Sequence, residues 1–162
     1  MKAIGILWDI DSPDALNQLP TEVNIPPQLK TEEDISDYLS DLTGFCHKGF
    51  RLVFENTRIN YLYRDASNYR VSNSCIVRGH MTEEQRRTIL SAMDEEMYFI
   101  PSAVGMPEKK FETETEDDHP FFELTCEDFE GTDEPPTLDI SCEELAERFA
   151  AAAINGAFTG GC

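Results

Sequence analysis

The sequence has few basic residues: 13 Lys and Arg stand against 32 Asp and Glu in 162 residues, which gives a formal net charge of −19. A field of that sign repels nucleic acid and anionic membranes, and it attracts basic proteins and cations. The bases are also unevenly placed, because residues 112–147 contain 15 acids and no Lys or Arg, while residues 48–87 carry eight bases and four acids. This distribution favours a basic protein partner and disfavours direct nucleic-acid binding.

The chain also lacks a CxxC pair and a long apolar run. Its five cysteines are odd in number, which favours free thiols in a reducing compartment over a disulfide framework. The N-terminal apolar run, residues 3–8, is too short for the core of a signal peptide or for a membrane span. We therefore expect a cytoplasmic protein with no membrane partner.

Apolar periodicity predicts an α+β fold: an antiparallel sheet with a central hairpin, two to three helices packed on it, and an acidic C-terminal region. Helix N-cap signals stand at Thr31, Thr82 and Ser141, and Gly44 is a good stop for the first helix. The predicted strands are residues 2–10, 49–55, 58–64, 69–78 and 121–124, with 58–64 and 69–78 forming the hairpin.

The length favours a single domain. We place this domain over residues 1–154, with the acidic segment 112–147 inside it, and we expect residues 155–162 to form a flexible Gly-rich tail. Apolar and aromatic residues are frequent enough to exclude a disordered chain as a whole.

Motifs for catalysis and metal binding are weak. Asp9 and Asp11 follow an apolar strand in an Asp-x-Asp pattern, which resembles the nucleophile motif of haloacid-dehalogenase-type phosphatases. The βα alternation of that fold is missing, the acids lack calcium-loop spacing, and the histidines lack zinc-ligand spacing. We expect no enzymatic activity, metal or cofactor. A metal-dependent phosphohydrolase at Asp9 and Asp11 is an alternative, and a Cys–His pair formed only by the fold stays open.

The central hairpin carries a second alternative, nucleic-acid binding. Period-two alternation places its arginines on one face of the sheet and its tyrosines on the opposite, buried face, whereas nucleic-acid binding would favour aromatic residues interleaved with the arginines. In the other interpretation, these arginines neutralise the chain's own acids. The arginines concerned are Arg58, Arg64, Arg70 and Arg78.

The acidic segment is the main candidate for function. Five apolar residues could hold its acids against a core: Phe111 directly before the segment, and Phe121, Phe122, Leu124 and Phe129 within it. A capped helix starts at Ser141, although a solvated loop is the alternative interpretation of the acids. Acids held at short spacing resemble a phosphate backbone, which presents one charge per ~1.7 Å of duplex axis. The candidate partner-binding residues are Glu112, Glu114, Glu116, Asp117, Asp118, Glu127, Asp128, Glu130, Asp133 and Glu134.

Several stretches carry a family resemblance: WDID at residues 8–11, LPTEVNIP at 19–26, ISDYLSD at 35–41, GF at 44–45 and 49–50, IPSAVGMP at 100–107, and DHPFFEL at 118–124. Together they resemble an uncharacterised family of small acidic proteins encoded on plasmids, phages and conjugative elements of Gram-positive gut bacteria. The resemblance implies a mobile-element accessory protein and implies no catalytic residue.

Small acidic proteins of mobile elements are often counter-defence factors. By that analogy, together with the charge, we expect an inhibitor of a nucleic-acid-targeting nuclease, of the anti-CRISPR or anti-restriction kind. The expected partner is a basic surface of a host defence protein such as a Cas effector or a restriction enzyme. The chain would bind this surface by mimicking DNA or by blocking the groove that binds nucleic acid. A structural or oligomerising module is a further possibility.

Overall fold

A computed structural model describes residues 1–116 and 118–159, and it confirms the α+β class, with antiparallel strands in two sheets and four α-helices among the described residues. Contacts divide the chain into two compact units, residues 1–54 and the part that begins at Glu55. Each unit is described by itself. The single domain over residues 1–154 stays a prediction.

The first unit contains a three-stranded antiparallel sheet with the order β2-β1-β3. Its elements are β1 (Lys2–Trp8), α1 (Pro13–Leu16), β2 (Glu22–Asn24), α2 (Glu32–Thr43) and β3 (His47–Val53). The predicted strand 2–10 therefore ends two residues early. The elements β2 and α1 were not predicted, since they are too short to show a period.

Helix α2 forms where its caps predict it. The Thr31 hydroxyl accepts from the Asp34 N–H at 3.1 Å, and Gly44 takes the left-handed conformation, φ 76°, that ends the helix. Ile35 and Leu39 on one stripe of the helix are fully buried and belong to a small core with Ala3, Ile6, Trp8, Val23 and Ile25.

The second unit contains the remaining strands and helices. They are β4 (Asn56–Arg64), β5 (Arg70–Arg78), α3 (Glu83–Ala92), β6 (Tyr98–Phe99), β7 (Phe122–Glu123), β8 (Phe129–Thr132) and α4 (Cys142–Ile154). Two short 3-10 helices, Pro101–Val104 and Cys126–Asp128, lie between them. The strand order is β5-β4-β7-β6. Strand β8 also pairs with β4, at residues 56–59, whereas β7 pairs with β4 at residues 62 and 63.

The hairpin of β4 and β5 confirms the prediction, and its register runs from Asn56 opposite Arg78 to Arg64 opposite Arg70. The connecting turn is closed by Asp65, whose carboxylate accepts from the Tyr69 N–H at 2.8 Å. Asn68 takes a positive φ of 69°, a conformation that asparagine tolerates better than most residues.

The acidic segment supplies two strands to this sheet, where one was predicted. Phe122 in β7 lies opposite Tyr63, and Phe129 in β8 lies opposite Ile59. Strand β8 was missed because its Glu and Gly have low strand propensity, and pairing with β4 overrides that preference. These two stretches therefore tie the segment to the sheet.

Helices α3 and α4 pack against each other and close the core of this unit. The predicted capping box is complete at Thr82 and half-formed at Ser141. The Ser141 hydroxyl accepts from the Glu144 N–H at 3.1 Å, but the Glu144 carboxylate pairs with Arg148 at 2.8 Å and does not return to the cap.

The predicted tail contains one buried side chain among its described residues. Phe158 is 2% exposed, and its ring lies 5.8 Å from the ring of Phe149. Removing this apolar side chain from water favours the contact, and the flexibility of the tail stays a prediction. The rest of the predicted tail, residues 160–162, lies outside the described residues.

Candidate functional site

The exposed face of the β4–β5 hairpin carries the four arginines predicted to share it. Directly opposite residues of antiparallel strands point to the same face, and the register places Arg64 opposite Arg70, Arg58 opposite Ile76, and Arg78 opposite Asn56. Tyr61 and Tyr63 are buried on the other face, whereas Tyr69, also predicted to be buried, precedes β5 and is 67% exposed. The geometry of the arginine face is therefore confirmed, without aromatic side chains from these strands on it.

Arg64 is engaged by an acid of the acidic segment. Its Nε donates to Oε1 of Glu123 at 2.8 Å, and its second terminal nitrogen donates to Oε2 at 3.1 Å. Its remaining terminal nitrogen donates to the side chain of Asn68 at 2.7 Å. This bidentate pair is the strongest hydrogen-bonding geometry between arginine and a carboxylate. The hydrogen bond to Glu123 raises the pKa of Arg64.

At the other end of the hairpin, arginines also pair with acids that lie later in the chain. Arg58 forms ion pairs with Glu134 and, at 3.9 Å, with Glu130. Arg78 pairs at 3.1 Å with Asp139, whose side chain is 96% exposed. Three of the four arginines thus neutralise acids that follow them in the chain. This pattern matches the interpretation that the arginines balance the protein's own charge.

Asp118 is tied to the core and is not a free surface acid. The Tyr63 hydroxyl donates to its Oδ1 at 2.5 Å, and the Thr115 N–H donates to its Oδ2 at 2.5 Å. These hydrogen bonds, with that of Tyr63 the larger cause, lower the pKa of Asp118. The Lys110 ammonium lies 5.3 Å above the Tyr63 ring and adds a cation–π contact.

Two more of the predicted partner-binding acids hold local structure. Asp128 accepts from the N–H and the hydroxyl of Thr125, both at 2.7 Å, and so closes the turn before β8. Asp133 accepts from the Glu55 N–H at 3.2 Å. With the acids that pair with arginine, half of the predicted set contributes to the fold.

The other predicted acids face solvent. They are exposed, and no ion pair joins them to another described residue: Glu112, Glu114, Glu116 and Glu127. The remaining predicted residue, Asp117, lies outside the described residues. The segment therefore has two classes of acid, one that anchors it and one that it presents outward.

The alternative metal site at Asp9 and Asp11 gains no further ligand from the residues that the structure describes. Asp9 follows β1 and pairs with Lys48 at 3.0 Å, which raises the pKa of Lys48. Among the described residues, no group of three or more His, Cys, Asp or Glu side chains is placed to hold a metal ion. The sheet that contains β1 is antiparallel, whereas the phosphatase motif belongs to a doubly wound parallel sheet.

The fold brings together one pair that the sequence did not reveal. Ser36 Oγ in α2 and His47 Nε2 in β3 lie 2.9 Å apart, which is the distance between a nucleophile and its base. Among the described residues, the buried His47 Nδ1 has no hydrogen-bond partner, so no acceptor completes a triad, although the rings of Trp8 and Phe50 lie edge-on to the imidazole. The pair lacks the geometry of a complete catalytic triad, and no sequence spacing could have indicated it.

Comparisons with protein families, with curated proteins and with solved structures find no match for this chain. Within the described residues, no helix has the length and apolar character needed to cross a membrane.

Proposed function

We propose that this chain is a non-enzymatic acidic protein that binds a basic surface of another protein. In its concrete form it is a mobile-element counter-defence factor that acts in the cytoplasm and inhibits a nucleic-acid-targeting nuclease. The observation that carries the proposal is the exposed set Glu112, Glu114, Glu116 and Glu127, which is presented by a segment anchored in the sheet. Inhibition by DNA mimicry or by groove blocking would use the same acids.

Anchoring matters because a mobile acidic tail would lose much of its attraction to the entropy of ordering. Here Phe122 and Leu124 are completely buried, and Asp118 is held by Tyr63. The exposed acids are therefore attached to a segment whose backbone is partly held in place before a partner binds. Their attraction adds to the long-range field of a chain with net charge −19, which raises the rate of encounter with a basic protein.

Two further observations support the proposal. The described cysteines, Cys46, Cys75, Cys126 and Cys142, are free thiols, as expected in a reducing cytoplasm. The ion pairs of Arg58, Arg64 and Arg78 also favour this proposal over nucleic-acid binding by the hairpin, since phosphates would have to displace carboxylates already in place.

The test is inhibition of DNA cleavage by a panel of purified restriction enzymes and RNA-guided Cas nucleases. One variant converts the four exposed glutamates, Glu112, Glu114, Glu116 and Glu127, to glutamine. A matched control changes four exposed acids of α2 by the same total charge: E32Q, E33Q, D37N and D41N. If the proposal holds, the first variant inhibits at least about tenfold less well at low salt and the control stays close to wild type.

An equal loss of inhibition in the two variants would mean that only net charge matters. It would contradict the assignment of partner binding to the acidic segment. Absence of inhibition across the panel, together with salt-sensitive binding of a DNA duplex by the protein itself, would support the arginine face and overturn the proposal. Far-UV circular dichroism of both variants shows whether the fold is retained.

A further inference from the structure

Strand β5 leaves part of its outer edge unpaired. Its inner edge pairs with β4 along its full length. On the outer edge, the Ile76 carbonyl accepts from the N–H groups of Thr137 and Leu138, and the Arg78 N–H donates to Ile140 at 2.9 Å. Along a strand, the backbone N–H and C=O groups of every second residue point to the same edge. The N–H and C=O groups of Arg70, Ser72 and Ser74 therefore point to the outer edge, as those of Ile76 do. In the described chain, no backbone group pairs with that half of the edge.

The open half of the edge is short and carries one charged residue, Arg70, but it lacks the other features that usually protect an edge strand. It contains no Pro, no bulge and no Lys, and Arg70, Ser72 and Ser74 are all exposed. The two serines are small and neutral, so another strand can approach closely. An exposed edge of this kind is a template for strand addition.

We propose that two copies of this chain associate by antiparallel pairing of their β5 edges, with Ser72 at the two-fold axis. In that register Ser72 exchanges both hydrogen bonds with Ser72 of the second copy, and Arg70 does so with Ser74 of the second copy. Every outward backbone group of the open half is then paired, and the paired segment ends before Ile76, whose carbonyl is already bonded to Thr137 and Leu138.

The side chains of this register are complementary in charge. Arg70 is the hairpin arginine with no ion pair in the described part of its own chain, whereas Arg58, Arg64 and Arg78 each have one. Ser74 lines a groove of about 610 Å³ that also contains Arg58 and Glu134. Arg58 pairs with both Glu134 and Glu130, so two acids share one arginine there. Arg70 of one copy, placed opposite Ser74 of the other, would bring a second arginine next to these two acids.

The register also limits repulsion between two negative chains. Residues 56–78 contain four arginines and a single acid, Asp65, so two copies meet where the acid density is low. Arg70 does not face its own equivalent, because that residue lies at the other end of the paired segment. The pairing does not depend on the proposed function, since it uses none of the four exposed glutamates.

The first test is disulfide trapping in a background with Cys46, Cys126 and Cys162 changed to serine. Directly opposite residues that exchange hydrogen bonds have Cα atoms about 5.5 Å apart, which a disulfide can bridge. Ser72→Cys should therefore form a covalent dimer under mild oxidation. Ser74→Cys is the matched control, because its equivalents lie about 13 Å apart along the strands and should stay uncrosslinked.

The second test is mass in solution by analytical ultracentrifugation. Wild type and Ser72→Ala should be dimers, and Ser72→Pro should raise the dimer Kd about tenfold or more, because proline removes a donor used only between copies. The protomer should keep its circular dichroism, since proline is tolerated at an outward edge position. A monomeric wild type at high concentration, or equal trapping of the two cysteine variants, would overturn the inference.

Discussion

Replacement of Phe122 by alanine tests whether the acidic segment is part of the folded core. Phe122 is 0% exposed, and its ring lies 5.2 Å from the ring of Tyr63, 6.0 Å from Tyr61 and 6.4 Å from Phe99. Removing a buried aromatic ring loses its transfer free energy and leaves a cavity, so Phe122→Ala should lower the free energy of unfolding by about 3–5 kcal/mol. With a urea slope of about 2 kcal/mol per molar, the midpoint should fall by about 1.5–2.5 M.

The neighbouring residue provides the control. Phe121 is half-buried, and its ring contacts His119 at 6.3 Å, so Phe121→Ala should cost about 1 kcal/mol or less. If Phe122→Ala does not fold, Phe122→Leu keeps most of the volume and should cost about 1 kcal/mol. Urea unfolding followed by circular dichroism gives these values. Equal midpoints for Phe121→Ala and Phe122→Ala would refute the reasoning.

Two further predictions concern titration and reactivity. The pKa of Asp118 is lowered in the fold, so its interaction with Tyr63 stabilises the protein above the unfolded pKa of about 4 and is lost as pH falls through the lower folded value. Asp118→Asn should therefore be less stable than wild type at pH 7 in thermal melts, with the difference shrinking below about pH 4; a constant difference would contradict this. Burial raises the pKa of Cys75 to about 12 and also raises the pKa of Cys142. A thiol reagent should therefore label the exposed Cys46 and Cys126 before these two, as peptide mass spectrometry would show. Rapid labelling of Cys75 would contradict its burial.

Local signals in the sequence predict the elements that depend on local contacts. Helix α2 starts at the Thr31 cap and ends at Gly44, and the β4–β5 hairpin follows from alternation and a short polar turn. In each case the residues that specify the element are near neighbours in the chain. Their hydrogen bonds form without reference to the rest of the fold.

The division of acids into anchors and exposed residues could not be predicted. Composition shows that residues 112–147 lack a base, but it does not show that Glu123 meets Arg64 or that Glu134 meets Arg58. Those pairs join residues far apart in the chain, and they follow from the pairing of β7 and β8 with β4. One sequence carries no information on which distant strand a short, weakly apolar segment will join.

The exposed and anchoring acids also differ in what their loss should do. Removing Glu123 would leave the half-buried Arg64 without its carboxylate, which affects the fold. Glu112 and Glu116 are exposed and form no ion pair with a described residue, so the effect of removing either should be confined to partner binding. This difference allows binding and stability to be separated experimentally.

The most direct test of the central claim is the salt dependence of Kd for a nuclease that the proposed inhibition assay identifies as a target. If the exposed acids bind a basic surface, the wild-type Kd should rise steeply between about 50 and 300 mM salt, because screening weakens exposed charge pairs. The variant with Glu112, Glu114, Glu116 and Glu127 changed to glutamine should show a weaker dependence. A Kd that does not respond to salt, or that has the same salt slope in both proteins, would contradict the account.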